Sequence, residues 1–215
     1  MVTTLAVDPR EPGSGAIDAA IRVLQKEGIV AIPTETFYGL AVDARSRAAC
    51  ERLYALKGRP AEKAFPCIVS GIPQLEALAQ HLDDSALLLA RTFWPGPLTL
   101  IVEARPGLAA SSADGSIAVR ASGLRLARDL AEGLGAPVTA TSANRSGSSA
   151  ATSAAEVASA LGPGVDLILD GGPCPGGLPS TIVDVRRSEP QLVRAGRVPF
   201  EEVQRALTCA PRKLE

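Results

Sequence analysis

The stretch Gly28-Ile29-Val30-Ala31-Ile32-Pro33-Thr34-Glu35-Thr36-Phe37-Tyr38-Gly39-Leu40 decides the architecture of this chain. Four apolar residues in a row, Ile29 to Ile32, three of them β-branched, read as a short strand buried on both faces. Gly28 stops the segment before it and Pro33 closes the strand. The preceding segment opens at Ser14, a cap residue, and repeats apolar side chains at Ile17, Ala20, Ile21 and Leu24, the period of a helix. A helix, a buried strand and then a polar loop rich in hydroxyls form the unit from which layered α/β folds are built.

The same alternation continues along the chain. Ser46 caps a helix carrying Cys50, Leu53, Tyr54 and Leu56, with Gly58 as its stop. Strands are predicted at Pro66–Val69, Leu98–Val102, Ile117–Val119 and Val138–Ala140. Helices are predicted at Pro73–Ala79, Asp83–Arg91 and Leu124–Leu134. Ser153 with Glu156 has the spacing of a capping box and opens a helix up to Leu161. The last third reads as strands at Leu167–Leu169, Ile182–Val185 and Leu192–Val193, then a helix from Phe200 to Leu207. No fixed-period repeat or linker divides the chain. Residues 1–14 read as an N-terminal extension, 15–207 as one domain and 208–215 as a tail.

Composition narrows the function. At 215 residues the chain is long enough to bury roughly 70% of its unfolded surface, so a core forms without staples. No apolar run, the strand-sized Leu98 to Val102 included, approaches the roughly 18 residues that span a bilayer. No basic or apolar leader opens the sequence, so a soluble, cytoplasmic protein without membrane contact is expected. Four cysteines (Cys50, Cys67, Cys174, Cys209) lie far apart, and the single histidine, His81, has no ligand-like neighbour, which points away from a zinc site. Net charge is -1, which argues against binding nucleic acid by charge alone. Seven aromatic residues are too few for an array of base-stacking platforms. Arginine outnumbers lysine 18 to 4, so an anion site here would use planar, forked donors.

No Walker A loop, GxGxxG, GxSxG or HExxH is present. The polar residues instead cluster where strands and helices end. Pro33–Leu40 places Thr34, Thr36 and Tyr38 after a buried strand, where open α/β sheets bind ligands; a capped turn with a packed tyrosine is the plainer reading. Lys57, Arg59 and Lys63 put three cations within seven residues at a helix end, either a solvated surface or a phosphate clamp. Thr141-Ser142-Ala143-Asn144-Arg145-Ser146-Gly147 follows another strand with small hydroxyl and amide groups suited to anions. The glycine- and proline-rich loop Gly171–Pro179 leads to Ser180-Thr181, and Arg194-Ala195-Gly196 closes the strand after that.

Taken in order, PTETFYGL, KGRP, FWPGPLTL (Phe93–Leu100), VR ending at Arg120, TSANRSG, PSTIVD (Pro179–Asp184) and LVRAG resemble the YrdC-like family, from about Gly15 to Leu207. The resemblance implies a single α/β domain whose twisted mixed β-sheet, flanked by helices, encloses a large basic cavity. It also implies an enzyme, a nucleotidyltransferase that condenses L-threonine, bicarbonate and ATP to threonylcarbamoyl-AMP and pyrophosphate. A downstream threonylcarbamoyl transferase would move that group onto tRNAs reading ANN codons, and direct contact with tRNA or double-stranded RNA is a further implication. Mg²⁺ would be expected on the ATP, although no carboxylate cage for it is visible.

Carried over position by position, the resemblance makes Lys57, Arg59, Ser142 and Asn144 the catalytic set. Arg59, Lys63, Ser116, Ser142 and Arg194 would contact ATP. Thr34, Thr36, Arg120 and Ser180 or Thr181 would hold L-threonine, with Arg120 facing its carboxylate. The chain departs from the family pattern after Arg120, where Ala121-Ser122-Gly123 stands. Two readings compete: a non-catalytic paralogue that binds nucleotide or double-stranded RNA, and a carbamoyl-adenylate enzyme of the hydrogenase-maturation kind, whose extra modules do not fit in 215 residues.

Overall fold

A computed structural model describes residues 2–58, 64–187 and 189–208. The deciding stretch folds as its pattern requires. Helix α1 (Ser14–Gln25) leads into strand β2 (Val30–Ile32), whose residues are all buried. Helix α1 begins one residue earlier than a Ser14 cap would have it: Gly13 holds the extended cap position and Ser14 is already helical.

The strands make two sheets rather than the one expected. The first has five strands: β1 (Thr3–Ala6), β10 (Leu167–Asp170), β2, β3 (Gly39–Ala41) and β9 (Thr141–Ser142), in that order across the sheet. Strands β1, β10 and β2 run parallel, while β3 returns antiparallel to β2 and pairs β9. Thr3–Ala6 lies within the stretch read from sequence as an extension, and it pairs in register with Leu167–Asp170. The second sheet runs β12 (Gln191–Arg194), β11 (Thr181–Asp184), β6 (Leu98–Ala104), β7 (Ser116–Arg120), β4 (Cys67–Ile68), β8 (Val138–Thr139), with β5 (Ala79–His81) pairing β6.

Two residues of strand, one of transit and two more of strand explain the division. The chain runs through β8 in the second sheet, passes Ala140, and enters β9 in the first. Thr139, fully buried at this seam, stitches the sheets together. Its hydroxyl donates to the Leu40 carbonyl (3.1 Å) and accepts from the Val42 amide (3.0 Å). The loops that leave both sheets here meet face to face, and that places the site described below.

Helices cover the sheets. Helix α5 (Arg125–Leu134) turns Leu126, Leu130 and Leu134 inward, beside Ile17, Ala20 and Leu24 of α1, over Val30, Ile32, Leu167 and Leu169. Each such leucine contributes about 1.5–3 kcal/mol by leaving water. Ile29, Ala31 and Ile168 point the opposite way, into the larger core under α2 (Arg47–Lys57), α4 (Asp84–Phe93), α6 (Ala154–Leu161) and α7 (Phe200–Thr208). Both faces of β2 are thus occupied, which is what its unbroken apolar run encodes.

Caps follow the sequence closely. Ser46 accepts from the Ala49 amide (3.2 Å) and Asp83 from the Ala86 amide (2.8 Å). Ser153 accepts from Glu156 (3.3 Å), but the returning Glu156 carboxylate takes the Thr152 amide (2.8 Å), so the capping box closes one residue early. A short helix, α3 (Ile72–Leu78), precedes β5. Among the described residues, no helix is long and apolar enough to cross a membrane.

Candidate active site

A cavity of about 350 Å³ opens between the sheets. The β2–β3 loop and β9 supply one wall, with Thr34, Glu35, Thr36, Tyr38, Thr141 and Ser142. Strands β6, β7, β11 and β12 supply the other, through Thr99, Ala118, Arg120, Ile182 and Arg194, with Ser180 just before β11. Six of the residues to which the resemblance gave roles therefore converge, Thr34, Thr36, Arg120, Ser142, Ser180 and Arg194, together with Tyr38. Thr34 and Arg120 belong to different sheets, and only folding brings them together.

Two guanidinium groups face this space in different states. Arg120 donates from Nη1 to Glu35 Oε1 at 2.7 Å, and both side chains are nearly buried, at 11% and 13% exposure. The Glu35 carboxylate also accepts from Ser122 Oγ (2.9 Å) and the Gly123 amide (2.6 Å). Burial alone would raise the Glu35 pKa, yet the Arg120 charge and these hydrogen bonds outweigh it and hold the carboxyl below its ordinary value. Among the described residues Arg194 meets only neutral oxygens: its Nη2 donates to the Ser180 carbonyl (2.8 Å) and hydroxyl (3.0 Å). Burial, and secondarily the nearby Arg120 charge, lower the Arg194 pKa. An exposed guanidinium beside another cation, with no carboxylate on it among the described residues, is prepared for an anionic ligand.

The Ser180 hydroxyl in turn shares a hydrogen bond with Thr99 Oγ1 (2.9 Å). Behind it, Gly196 packs so tightly that a Cβ would run into the Pro179 carbonyl, which accounts for the glycine of LVRAG. Thr181, the neighbour left open as an alternative to Ser180, points away. It is fully buried, and its hydroxyl donates to the Val198 carbonyl (2.6 Å) and accepts from the Val198 amide (3.0 Å).

Lys57, the last residue of α2, aims elsewhere than its sequence neighbourhood suggests. Its Nζ donates to the Ser142 carbonyl (2.6 Å), the Asn144 carbonyl (3.0 Å) and Asn144 Oδ1 (3.3 Å), and the residue is 4% exposed. Asn144 is likewise spent inside its own turn, its Nδ2 donating to the carbonyls of Arg145 (3.0 Å) and Ser148 (2.6 Å). Lys57 and Asn144 thus stand behind Ser142 and do not line the cavity. Thr34 Oγ1 donates to the Phe37 carbonyl (2.7 Å), so the plainer reading of a capped turn holds beside its place in the lining.

Ser116 does not line the cavity either; its hydroxyl donates to Asp114 (2.7 Å) at the start of β7. Arg59 and Lys63 lie outside the described residues. The described residues do not make the large basic cavity expected, because Lys57 is turned into the Ser142 turn and Arg120 is matched by Glu35. Sequence reasoning missed Glu35 and Thr99. Glu35 had left a signal: it is the one acid in a run of hydroxyls beside a buried strand, a position that requires a cation.

A family model described as Sua5_yciO_yrdC, telomere recombination, matches residues 22–196. The chain belongs to the Sua5/YciO/YrdC family. It is 38% identical over 186 residues to threonylcarbamoyl-AMP synthase of Pyrococcus abyssi, covering 85% of this chain and 54% of that protein. It is 34% identical over 209 residues to a putative threonylcarbamoyl-AMP synthase of Mycobacterium leprae, covering 96% of this chain and 94% of that protein. The structure of P. abyssi Sua5 complexed with L-threonine superposes with a TM-score of 0.88 at 32% identity, covering 96% of this chain and 61% of that one. This family member therefore spans little more than half the length of the Pyrococcus protein.

Proposed function

We propose that this protein is an L-threonylcarbamoyladenylate synthase. It joins L-threonine, bicarbonate or its CO₂, and ATP into threonylcarbamoyl-AMP and releases pyrophosphate, with one water more when the carbon comes as bicarbonate. The observation that carries this reading is the convergence of Thr34, Arg120, Ser180 and Arg194 on one cavity between the sheets. Two guanidinium groups and a ring of hydroxyls suit a small amino acid and the phosphates of a nucleotide. The likeness to threonylcarbamoyl-AMP synthases, and to Sua5 complexed with L-threonine, supports the same reading.

The chemistry asks mainly for neutralisation and alignment, since all the reactants are anionic. The amine of threonine takes up CO₂ as a carbamate. A carbamate oxygen then attacks the α-phosphorus, forming a P–O bond as the bond to the β-phosphate oxygen breaks and pyrophosphate leaves. Arg120 and Ser180 would hold the amino acid, while Arg194 and Ser142 would face the nucleotide, joined by Arg59 and Lys63. Lys57 and Asn144 act through the turn that carries Ser142. No protein nucleophile is required. Among the described residues no group of carboxylates, histidines or cysteines could cage a divalent cation, and Glu35 is already committed to Arg120. Any Mg²⁺ would be held by the phosphates of ATP. The product would pass to a threonylcarbamoyl transferase acting on tRNA.

The test is pyrophosphate release from ATP with L-threonine and bicarbonate each supplied and each withheld. Release that needs both is expected, and Arg59→Ala should abolish it without unfolding the protein. A folded wild type that binds ATP or double-stranded RNA but releases no pyrophosphate would overturn the synthase in favour of a binding protein.

A further inference from the structure

We propose that Glu35 is a positioning residue for the substrate carboxylate, fixing Arg120 so that one edge of its guanidinium is presented to the amino acid. This rests on the reading that the cavity takes L-threonine. Glu35 sits in the β2–β3 loop of the first sheet, and Arg120 ends β7 of the second, so the pair spans the cavity from wall to wall. The carboxylate is gripped by three donors from a four-residue segment: Arg120 Nη1 (2.7 Å), Ser122 Oγ (2.9 Å) and the Gly123 amide (2.6 Å). The main chain of Glu35 is held too, its carbonyl accepting from Arg197 Nη1 (3.3 Å).

The segment Ala121-Ser122-Gly123 is built around this carboxylate. Ser122 supplies a hydroxyl and Gly123 a bare amide. A Cβ on Gly123 would stand 3.3 Å from Glu35 Oε1 and 3.3 Å from its Cγ, so the carboxylate would have to give by a few tenths of an ångström. Ser122 Oγ also accepts from the Leu124 amide (3.2 Å), so the same hydroxyl orders the entry to α5.

The consequence for Arg120 is directional. Nη1 is taken by Glu35, and among the described residues the side chain makes no other hydrogen bond. Its remaining N–H groups stay available on a side chain that can no longer swing. A guanidinium held along one edge is a preorganised carboxylate receptor on the other. Arg194, which among the described residues meets only neutral oxygens, has no such tether there. Losing Glu35 should therefore weaken the amino-acid substrate selectively and leave the nucleotide nearly untouched.

The experiment compares wild type with Glu35→Gln in pyrophosphate release, varying L-threonine and ATP separately, with L-threonine binding followed by calorimetry. The expected result is a rise of about tenfold in KM for L-threonine, with KM for ATP and kcat within about twofold. A structural tie between the sheets alone would lower stability and shift both KM values together, or neither, and that outcome overturns the proposal. So does a KM for L-threonine that is unchanged or lower. Should Glu35→Gln fail to fold, Ser122→Ala removes one of the three donors and is expected to raise the same KM about threefold. No rise there overturns it equally. A wild type that neither binds nor turns over L-threonine overturns the functional reading itself, whereas a working wild type with an indifferent Glu35→Gln overturns only this inference.

Discussion

The ammonium of Lys57 lies 2.6 Å from the main-chain carbonyl of Ser142, across 85 residues of sequence. Two more oxygens, both from Asn144, also accept from this ammonium. A compact, three-donor cation suits three acceptors converging on one point. Lys57 thereby shapes the turn after β9, while the Ser142 hydroxyl donates to Asn144 Oδ1 (2.5 Å) at the cavity wall.

Replacing Lys57 by methionine keeps the stem and removes the donors. Buried carbonyls left unpaired cost about 2–4 kcal/mol in total. For a chain of this size that lowers Tm by roughly 5–10 °C. Threonine-dependent pyrophosphate release should fall at least tenfold, and Lys57→Arg should not restore it, because a planar fork cannot reproduce the point geometry. Thermal unfolding and turnover of both variants check this; wild-type values for Lys57→Met would contradict it.

Ser180 and Thr181 should separate cleanly despite being neighbours. Thr181→Val leaves the Val198 amide and carbonyl without their partner and should cost about 1–3 kcal/mol. Its effect on KM for either substrate should stay within about twofold. Ser180→Ala should do the reverse, sparing Tm while loosening Arg194, whose Nη2 loses the hydroxyl contact. Activity should drop several-fold. Melting curves paired with KM measurements would expose the opposite pattern if the two roles were exchanged.

His81 offers a control on the mechanism. It lies on β5 with an exposed side chain, outside the cavity between the sheets. His81→Ala should keep turnover within about twofold, and a large loss would mean that proton transfer runs through a histidine after all.

What was legible in the sequence follows from how local each signal is. Ile29–Ile32 announced a strand buried on both faces because its own residues carry the pattern, and Ser46 announced a helix start because a cap acts within three residues. Strands of two to four residues, such as Thr3–Ala6, Gly39–Ala41 and Thr141–Ser142, hold too few positions for a period to register. They exist because neighbouring strands pair with them, so the split into two sheets at Ala140 stayed hidden. The site divides in the same way. Arg120, Ser180 and Arg194 were marked by lying at or beside strand ends and do line the cavity. The target of Lys57 was not marked, since a cation at a helix end carries no information about which distant carbonyls it will meet. Glu35 was passed over because its partner stands on the other sheet.

The Glu35–Arg120 pair also makes an acid-dependent prediction. The folded-state pKa of Glu35 lies below its ordinary value of 4.5, so the carboxylate adds stability that is complete above that value. The contribution fades as pH falls through the lower folded-state value, when the carboxyl takes up a proton and the grip on Arg120, Ser122 and Gly123 weakens. Glu35→Gln lacks the charge at every pH, leaving Arg120 nearly buried without its counter-ion at a cost of about 3 kcal/mol near neutrality. Wild type should therefore melt several degrees above Glu35→Gln at pH 7, and the gap should close as the buffer is taken toward pH 3. Circular-dichroism melts of both proteins across that range check the sign. A gap that stays constant into acid would mean that the pair contributes through shape alone, and a gap that widens would mean that the carboxyl is protonated in the folded protein at neutral pH.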